Sequence, residues 1–201
     1  MSDENPVLAA PRRRDKRALW LTALVALLLG VGELMYGRMI ASDDVIKDGA
    51  EWLYDVSIYG LAALSLGQSK SIEKRAALAL VAIFGIAGLQ GVYEVWDAVV
   101  HPLTDVVDNL IITDIINIIG NFAEAVVLLP FRLSHDPLLE ATWLSARNSV
   151  LTSMAGAAVT VICGILAVQW PQTVIVAFGT LLAFQAAFLI ASDVRDGRSG
   201  D

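Results

Sequence analysis

The chain has 201 residues, of which 56% are hydrophobic and only 17% charged, so it is more apolar than an ordinary soluble domain. The net charge of −7 argues against a nucleic-acid partner, because phosphate binding needs clustered lysine and arginine. The single cysteine, Cys163, excludes an intramolecular disulfide and a thiolate metal cluster. No nucleotide-binding loop or motif typical of a hydrolase or metalloprotease occurs, so we expect no enzyme activity and no cofactor.

Six apolar segments follow one another, and each is long enough to cross the ~30 Å hydrocarbon core of a bilayer as a helix. They are residues 18–38, 43–66, 76–99, 107–130, 146–169 and 171–192. The sequence therefore predicts an all-α membrane protein, a six-transmembrane-helix bundle over 18–192. A basic tail at 1–17 and a short tail at 193–201 flank it, and we expect no C-terminal domain.

Local signals predict where these helices begin and end. Ser42 followed by two aspartates predicts an N-cap for the second helix. Prolines predict three further helix boundaries. His101-Pro102 ends the third helix, Pro130 ends the fourth, and Trp170-Pro171 forms a turn between the fifth and sixth.

Lysine and arginine are distributed unequally between the two sets of loops, which predicts the orientation. One set holds only Arg38 and Lys47. The other set, including both tails, holds twelve: Arg12, Arg13, Arg14, Lys16, Arg17, Lys70, Lys74, Arg75, Arg132, Arg147, Arg195 and Arg198. We therefore expect both termini to be cytoplasmic, in a multi-pass protein of the inner membrane.

Acidic residues inside the apolar segments are the main functional signal, since carboxylates at membrane depth usually mark ion or proton pathways. Counted from Ser42 at 1.5 Å per residue, Glu51 lies about 14 Å and Asp55 about 20 Å into the second helix. At i,i+4 spacing they share one helix face. Two such carboxylates cannot both stay ionised without a cation or a shared proton, which is typical of cation–proton exchange. The alternative is that both are neutral and hydrogen-bonded to neighbouring helices.

Five short motifs occur in order on the predicted helices. They are Glu33 and Gly37; residues 47–55 with Asp48, Glu51 and Asp55; residues 92–97 followed by Pro102; Asn121; and residues 146–153. Together they resemble the cation diffusion facilitator, or cation efflux, family over about residues 17–195. The resemblance implies six membrane helices with cytoplasmic ends and a metal site built from the second and fifth helices.

The chain departs from the family at the metal site. The two positions that supply ligands from the fifth helix in the family are Ser145 and Ser149 here. By themselves, serines at this spacing are typical of close helix packing. Asp48 and Glu124 are supporting ligand candidates beside Glu51 and Asp55, and Glu124 could replace a lost carboxylate. A site built only from oxygen atoms favours harder ions such as Mn²⁺ or Mg²⁺ over zinc.

The resemblance implies a divalent metal cation transporter that exchanges its cargo for protons across the lipid membrane. The alternatives are a non-transporting subunit or regulator with a degenerate site, and an unrelated small channel. Family members usually pair, so we expect a homodimer or heterodimer held by membrane-helix contacts.

Overall fold

Six α-helices account for nearly all of the part of the chain that the computed structural model describes, residues 6–100, 110–134, 136–166 and 170–196, and no β-strand occurs in these ranges. The prediction of an all-α fold with six helices is confirmed. The helices are α1 (Pro6–Ile40), α2 (Asp43–Ser65), α3 (Lys70–Val100), α4 (Leu110–Leu128), α5 (Pro137–Leu166) and α6 (Trp170–Arg195), with a 3₁₀ helix at Leu129–Leu133.

The turn between α1 and α2 has the predicted cap. Ser42 is extended, with φ −104° and ψ 113°, and its hydroxyl accepts a hydrogen bond from the Val45 N–H at 3.4 Å. The residue before it, Ala41, has φ 53°, the left-handed conformation that reverses the chain. The N-cap prediction at Ser42 is therefore confirmed.

Several helices extend beyond the predicted apolar segments. α3 starts at Lys70 and not at residue 76, and α5 starts at Pro137 and not at residue 146. The start of α5 is fixed locally, because the Asp136 carboxylate accepts a hydrogen bond from the Leu138 N–H at 2.9 Å. Hydropathy marks only the apolar part of a helix, whereas caps such as this one set its ends.

The other predicted boundaries agree in part. α4 ends at Leu128, two residues before Pro130, and Trp170 and Pro171 open α6. His101 and Pro102 lie outside the described residues. α1 also takes in part of the predicted basic tail, since it begins at Pro6.

Helices α1 and α2 approach each other closely, because glycines remove side chains from their contact. A Cβ added at Gly30 would lie 2.8 Å from the Trp52 Cβ and 3.0 Å from the Gly49 carbonyl oxygen. Gly37 faces Ile46 at a similar distance. The backbones of α1 and α2 are therefore in direct contact at two levels.

The outer surface is strongly apolar. Leu28, Leu89, Ile119 and Phe188 are all more than 60% exposed on four different helices. Within the described residues, four segments are long and apolar enough to cross a membrane: Arg13–Ile40, Lys70–Val100, Thr113–Leu133 and Thr173–Arg195. This is compatible with a multi-pass membrane protein. Crossings by α2 and α5, and the cytoplasmic termini, stay predictions.

Candidate functional site

Asp55 of α2 is the central carboxylate of a polar site inside the bundle. Its side chain is 7% exposed. The Ser145 hydroxyl donates to Oδ1 at 2.5 Å and the Ser149 hydroxyl to Oδ2 at 3.3 Å. The structure thus brings together one residue of α2 and two of α5, the pair of helices from which the family resemblance implies a shared site.

A second buried carboxylate, Glu124 of α4, lies on the same site. It is 2% exposed, and its Oε2 accepts a hydrogen bond from the Tyr59 hydroxyl at 2.9 Å. Its Oε1 is buried without a hydrogen-bond partner. Glu124 is close enough to Asp55 for the two carboxyl groups to interact electrostatically, so both lie in one low-dielectric region. We call Asp55, Tyr59, Glu124, Ser145 and Ser149 the α2–α5 site.

Hydrogen bonds to neighbouring helices hold the α5 part of this site. The Asn121 amide of α4 donates to the Ser149 carbonyl oxygen at 3.3 Å. On the opposite side, the Asn148 amide donates to the Leu182 carbonyl oxygen of α6 at 3.1 Å. The two serines are therefore presented to Asp55 by a segment that is bonded to both α4 and α6.

Glu51 and Asp55 lie in different environments, although they are one helical turn apart. The Glu51 side chain is exposed, whereas Asp55 is enclosed by α5. The charged groups that act on Glu51 are all carboxylates: Asp48, Glu94, Asp55 and Glu33. Glu51 therefore lies in a region of negative potential beside the α2–α5 site, without a described contact inside it.

Asp48 belongs to a separate polar group between α1, α2 and α4. Asn117 connects this group, because its amide donates to Asp48 Oδ2 at 3.4 Å and its Oδ1 accepts from the Trp52 indole at 3.0 Å. Glu33 of α1 lies next to Asp48 and Trp52 and is 5% exposed. Both Glu33 carboxylate oxygens are buried without a hydrogen-bond partner. Glu33 is thus enclosed in a polar group that is distinct from the α2–α5 site.

The predicted ligand residues divide accordingly. Asp55, Glu124, Ser145 and Ser149 come together, whereas Asp48 and Glu51 do not join them. Among the described residues, no three side chains of histidine, cysteine, aspartate or glutamate are arranged to hold a metal ion. A cation at the α2–α5 site would therefore take at most two carboxylates, with hydroxyl oxygens completing its shell.

Tyr59 is the residue of this site that the sequence analysis missed. It is fully buried and bonds Glu124 directly. Glu51, Asp55 and Tyr59 are spaced four residues apart, so they form one polar line along α2. Extending the i,i+4 pattern by one turn would have found it.

No protein-family model matches the chain, and no curated protein matches its sequence.

Proposed function

We propose that this chain is a multi-pass inner-membrane transporter that moves a divalent metal cation in exchange for protons, as its resemblance to cation diffusion facilitators implies. The observation that carries the proposal is the pairing of Asp55 with the hydroxyls of Ser145 and Ser149 inside the bundle. This pairing gives α2 and α5 a common polar site with a second carboxylate, Glu124, beside it.

Exchange follows from the charge of the site. Removing two carboxylates from water is costly unless a proton or a cation neutralises them. A divalent cation between Asp55 and Glu124 neutralises both, and protons neutralise them when the cation leaves. Each serine hydroxyl now donates to Asp55, but it also carries lone pairs, which can face a cation once the hydroxyl rotates.

The donors of the α2–α5 site are carboxylate and hydroxyl oxygens. Such ligands suit hard cations, so Mn²⁺ and Mg²⁺ are the preferred cargo candidates. In this proposal Glu51 attracts cations toward the α2–α5 site without binding the ion as a ligand. Because it is exposed among other carboxylates, it raises the local cation concentration beside the site.

The test is proton release from proteoliposomes that hold a pH-sensitive dye and receive an Mn²⁺ or Mg²⁺ gradient. The parent chain should change the internal pH in a metal-dependent way. Asp55→Asn should abolish this change, since the amide can neither bind the cation as strongly nor exchange its proton. Asp43→Asn is the matched control, because Asp43 is an exposed carboxylate on the same helix. Equal transport by Asp55→Asn and parent would refute the proposal.

The second candidate function is a non-transporting subunit or regulator of another membrane transporter. One observation favours it: the two serines already satisfy both oxygens of Asp55, as in a purely structural hydrogen-bond network. In that case the parent chain alone releases no protons with either metal, and Asp55→Asn mainly lowers thermal stability. The same liposome assay, combined with a melting curve, separates the two functions.

A further inference from the structure

An open apolar groove of about 290 Å³ lies between α4 and α5. Phe122 and Val126 of α4 form one wall, and Val150 and Leu151 of α5 form the other. Phe122 is 59% and Val126 is 55% exposed, so the groove opens to the outside of the bundle. It is therefore separate from the enclosed α2–α5 site.

Arg147 is the only charged residue among those that line this groove. Its guanidinium is held by neutral acceptors. Nε and Nη2 donate to Asn148 Oδ1 at 3.2 and 2.9 Å, and Nη2 also donates to Gln185 Oε1 at 3.2 Å. Among the described residues it has no carboxylate contact, and these bonds do not use Nη1. The arginine is thus fixed in place while its charge is uncompensated.

We propose that this groove binds a phospholipid with an anionic headgroup. The phosphate pairs with Arg147, and an acyl chain lies along the apolar walls. On the α4 side the lining runs from Phe122 to Leu129, the first residue of the 3₁₀ helix, so this wall is about 10 Å long at 1.5 Å per residue. Arg147 and a phosphate group form charge-assisted hydrogen bonds, which offset the cost of an arginine at the edge of the hydrocarbon layer.

Trp143 supports a headgroup position at this end of the groove. It lines the groove one helical turn before Arg147, and tryptophan is typical of the membrane–water interface. Toward Val150 and Leu151 the lining is apolar, as an acyl chain requires. Along α5 the lining is thus first aromatic, then cationic and then aliphatic. This order matches a phospholipid whose anionic headgroup lies at the interface and whose acyl chain runs into the membrane. This inference does not depend on transport.

Trp143 also provides the readout. A reporter variant with Trp20, Trp96 and Trp170 changed to Phe keeps Trp143 at the groove and Trp52, which is 3% exposed, as an internal reference. The reporter is placed in phosphatidylcholine vesicles with increasing fractions of brominated phosphatidylglycerol or brominated phosphatidylcholine. We expect brominated phosphatidylglycerol to quench Trp143 with about fivefold higher relative affinity, since one cation near the surface contributes about 1 kcal/mol toward an anionic lipid.

Two arginine variants assign the preference. Arg147→Gln should reduce the affinity ratio to about one, whereas Arg132→Gln should leave it near the reporter value. Arg132 is an exposed cation after α4 that does not line the groove, so it controls for general surface charge. Unchanged Trp52 emission and an unchanged melting temperature would show that each variant is folded.

Three outcomes would overturn the proposal. The first is equal quenching by the two lipids in the reporter itself. The second is an equal loss of preference in Arg132→Gln and Arg147→Gln, which would mean diffuse attraction. The third is no quenching by either lipid together with cysteine crosslinks between Phe122→Cys positions of two copies, which would mean that a second copy covers the groove.

Discussion

The hydroxyl of Tyr59 lies 2.9 Å from Glu124 Oε2, and this hydrogen bond joins α2 to α4 where both side chains are enclosed. Among the described residues, the Glu124 carboxylate has no other hydrogen bond, because its second oxygen, Oε1, is buried without a partner. Asn117 joins the same two helices through Asp48 and Trp52, but at Glu124 the polar contact between α2 and α4 depends on a single phenol.

Removing this phenol should destabilise the protein. Tyr59→Phe leaves both carboxylate oxygens of Glu124 buried without a partner, at an expected cost of about 1–3 kcal/mol. Thermal unfolding in detergent measures the loss. Tyr54→Phe is the control, because the Tyr54 hydroxyl bonds Gln90 at an exposed position, where we expect a change within about 0.5 kcal/mol.

A double variant distinguishes the hydrogen bond from packing. Tyr59→Phe combined with Glu124→Leu removes both polar partners, so much of the lost stability should return. If the double variant is less stable than Tyr59→Phe alone, the unpaired carboxyl of Glu124 is not what destabilises the single variant.

Adding a carboxylate from α5 should strengthen cation binding. Ser149→Asp puts a negative charge opposite Asp55, which a divalent cation neutralises. We expect Mn²⁺ affinity to rise by about tenfold, or ~1.4 kcal/mol, as measured by calorimetry on the purified protein. The gain should disappear in an Asp55→Asn background, because the two residues act on one ion. A similar gain in both backgrounds would mean that α2 and α5 do not share a cation site.

The contact between α1 and α2 should tolerate no added methyl group. Gly30→Ala puts a Cβ 2.8 Å from the Trp52 Cβ and 3.0 Å from a backbone oxygen, so the helices must separate, at about 1–3 kcal/mol. Gly32→Ala meets nothing within 4 Å and should stabilise the protein by up to about 1 kcal/mol through helix propensity. Equal melting temperatures for the two variants would contradict the close approach.

The six-span topology can be tested by cysteine accessibility in a Cys163→Ser background. Cysteines at positions 69 and 134 should react with a membrane-impermeant reagent only from the cytoplasmic side. A cysteine at position 104 should react only from the outside. The physical reason is the concentration of lysine and arginine in the set of loops that contains positions 69 and 134. Labelling of all three positions from one side would require fewer crossings.

The sequence was sufficient for features that depend on neighbouring residues. The helical class follows from long apolar segments, and the Ser42 cap follows from the residues beside it. The start of α5 at Pro137 was missed, although Asp136 before a proline is a readable cap signal. Local physics therefore predicted most of the secondary structure, and most of its errors lie at helix ends.

The environment of each carboxylate was not predictable in the same way. Residues four apart differ by about 40° around a helix, so a neighbouring helix can enclose one and leave the other open. Asp55 is covered by α5, and Glu51 is not. Glu33 was noticed as part of a motif, but its lack of hydrogen-bond partners depends on how α1 and α2 pack. The burial and hydrogen bonding of a carboxylate thus depend on tertiary packing, and the spacing of residues in the sequence does not reveal them.

The glycine contacts between α1 and α2 also limit how the α2–α5 site could open. Because α1 and α2 approach each other closely at Gly30 and again at Gly37, we expect that α2 does not slide or tilt by itself. Any displacement that draws Asp55 away from α5 must carry α1 as well. The α1–α2 pair is then the smallest unit that can move within the bundle. Two serine hydroxyls of α5 hold this pair in place through their hydrogen bonds to Asp55.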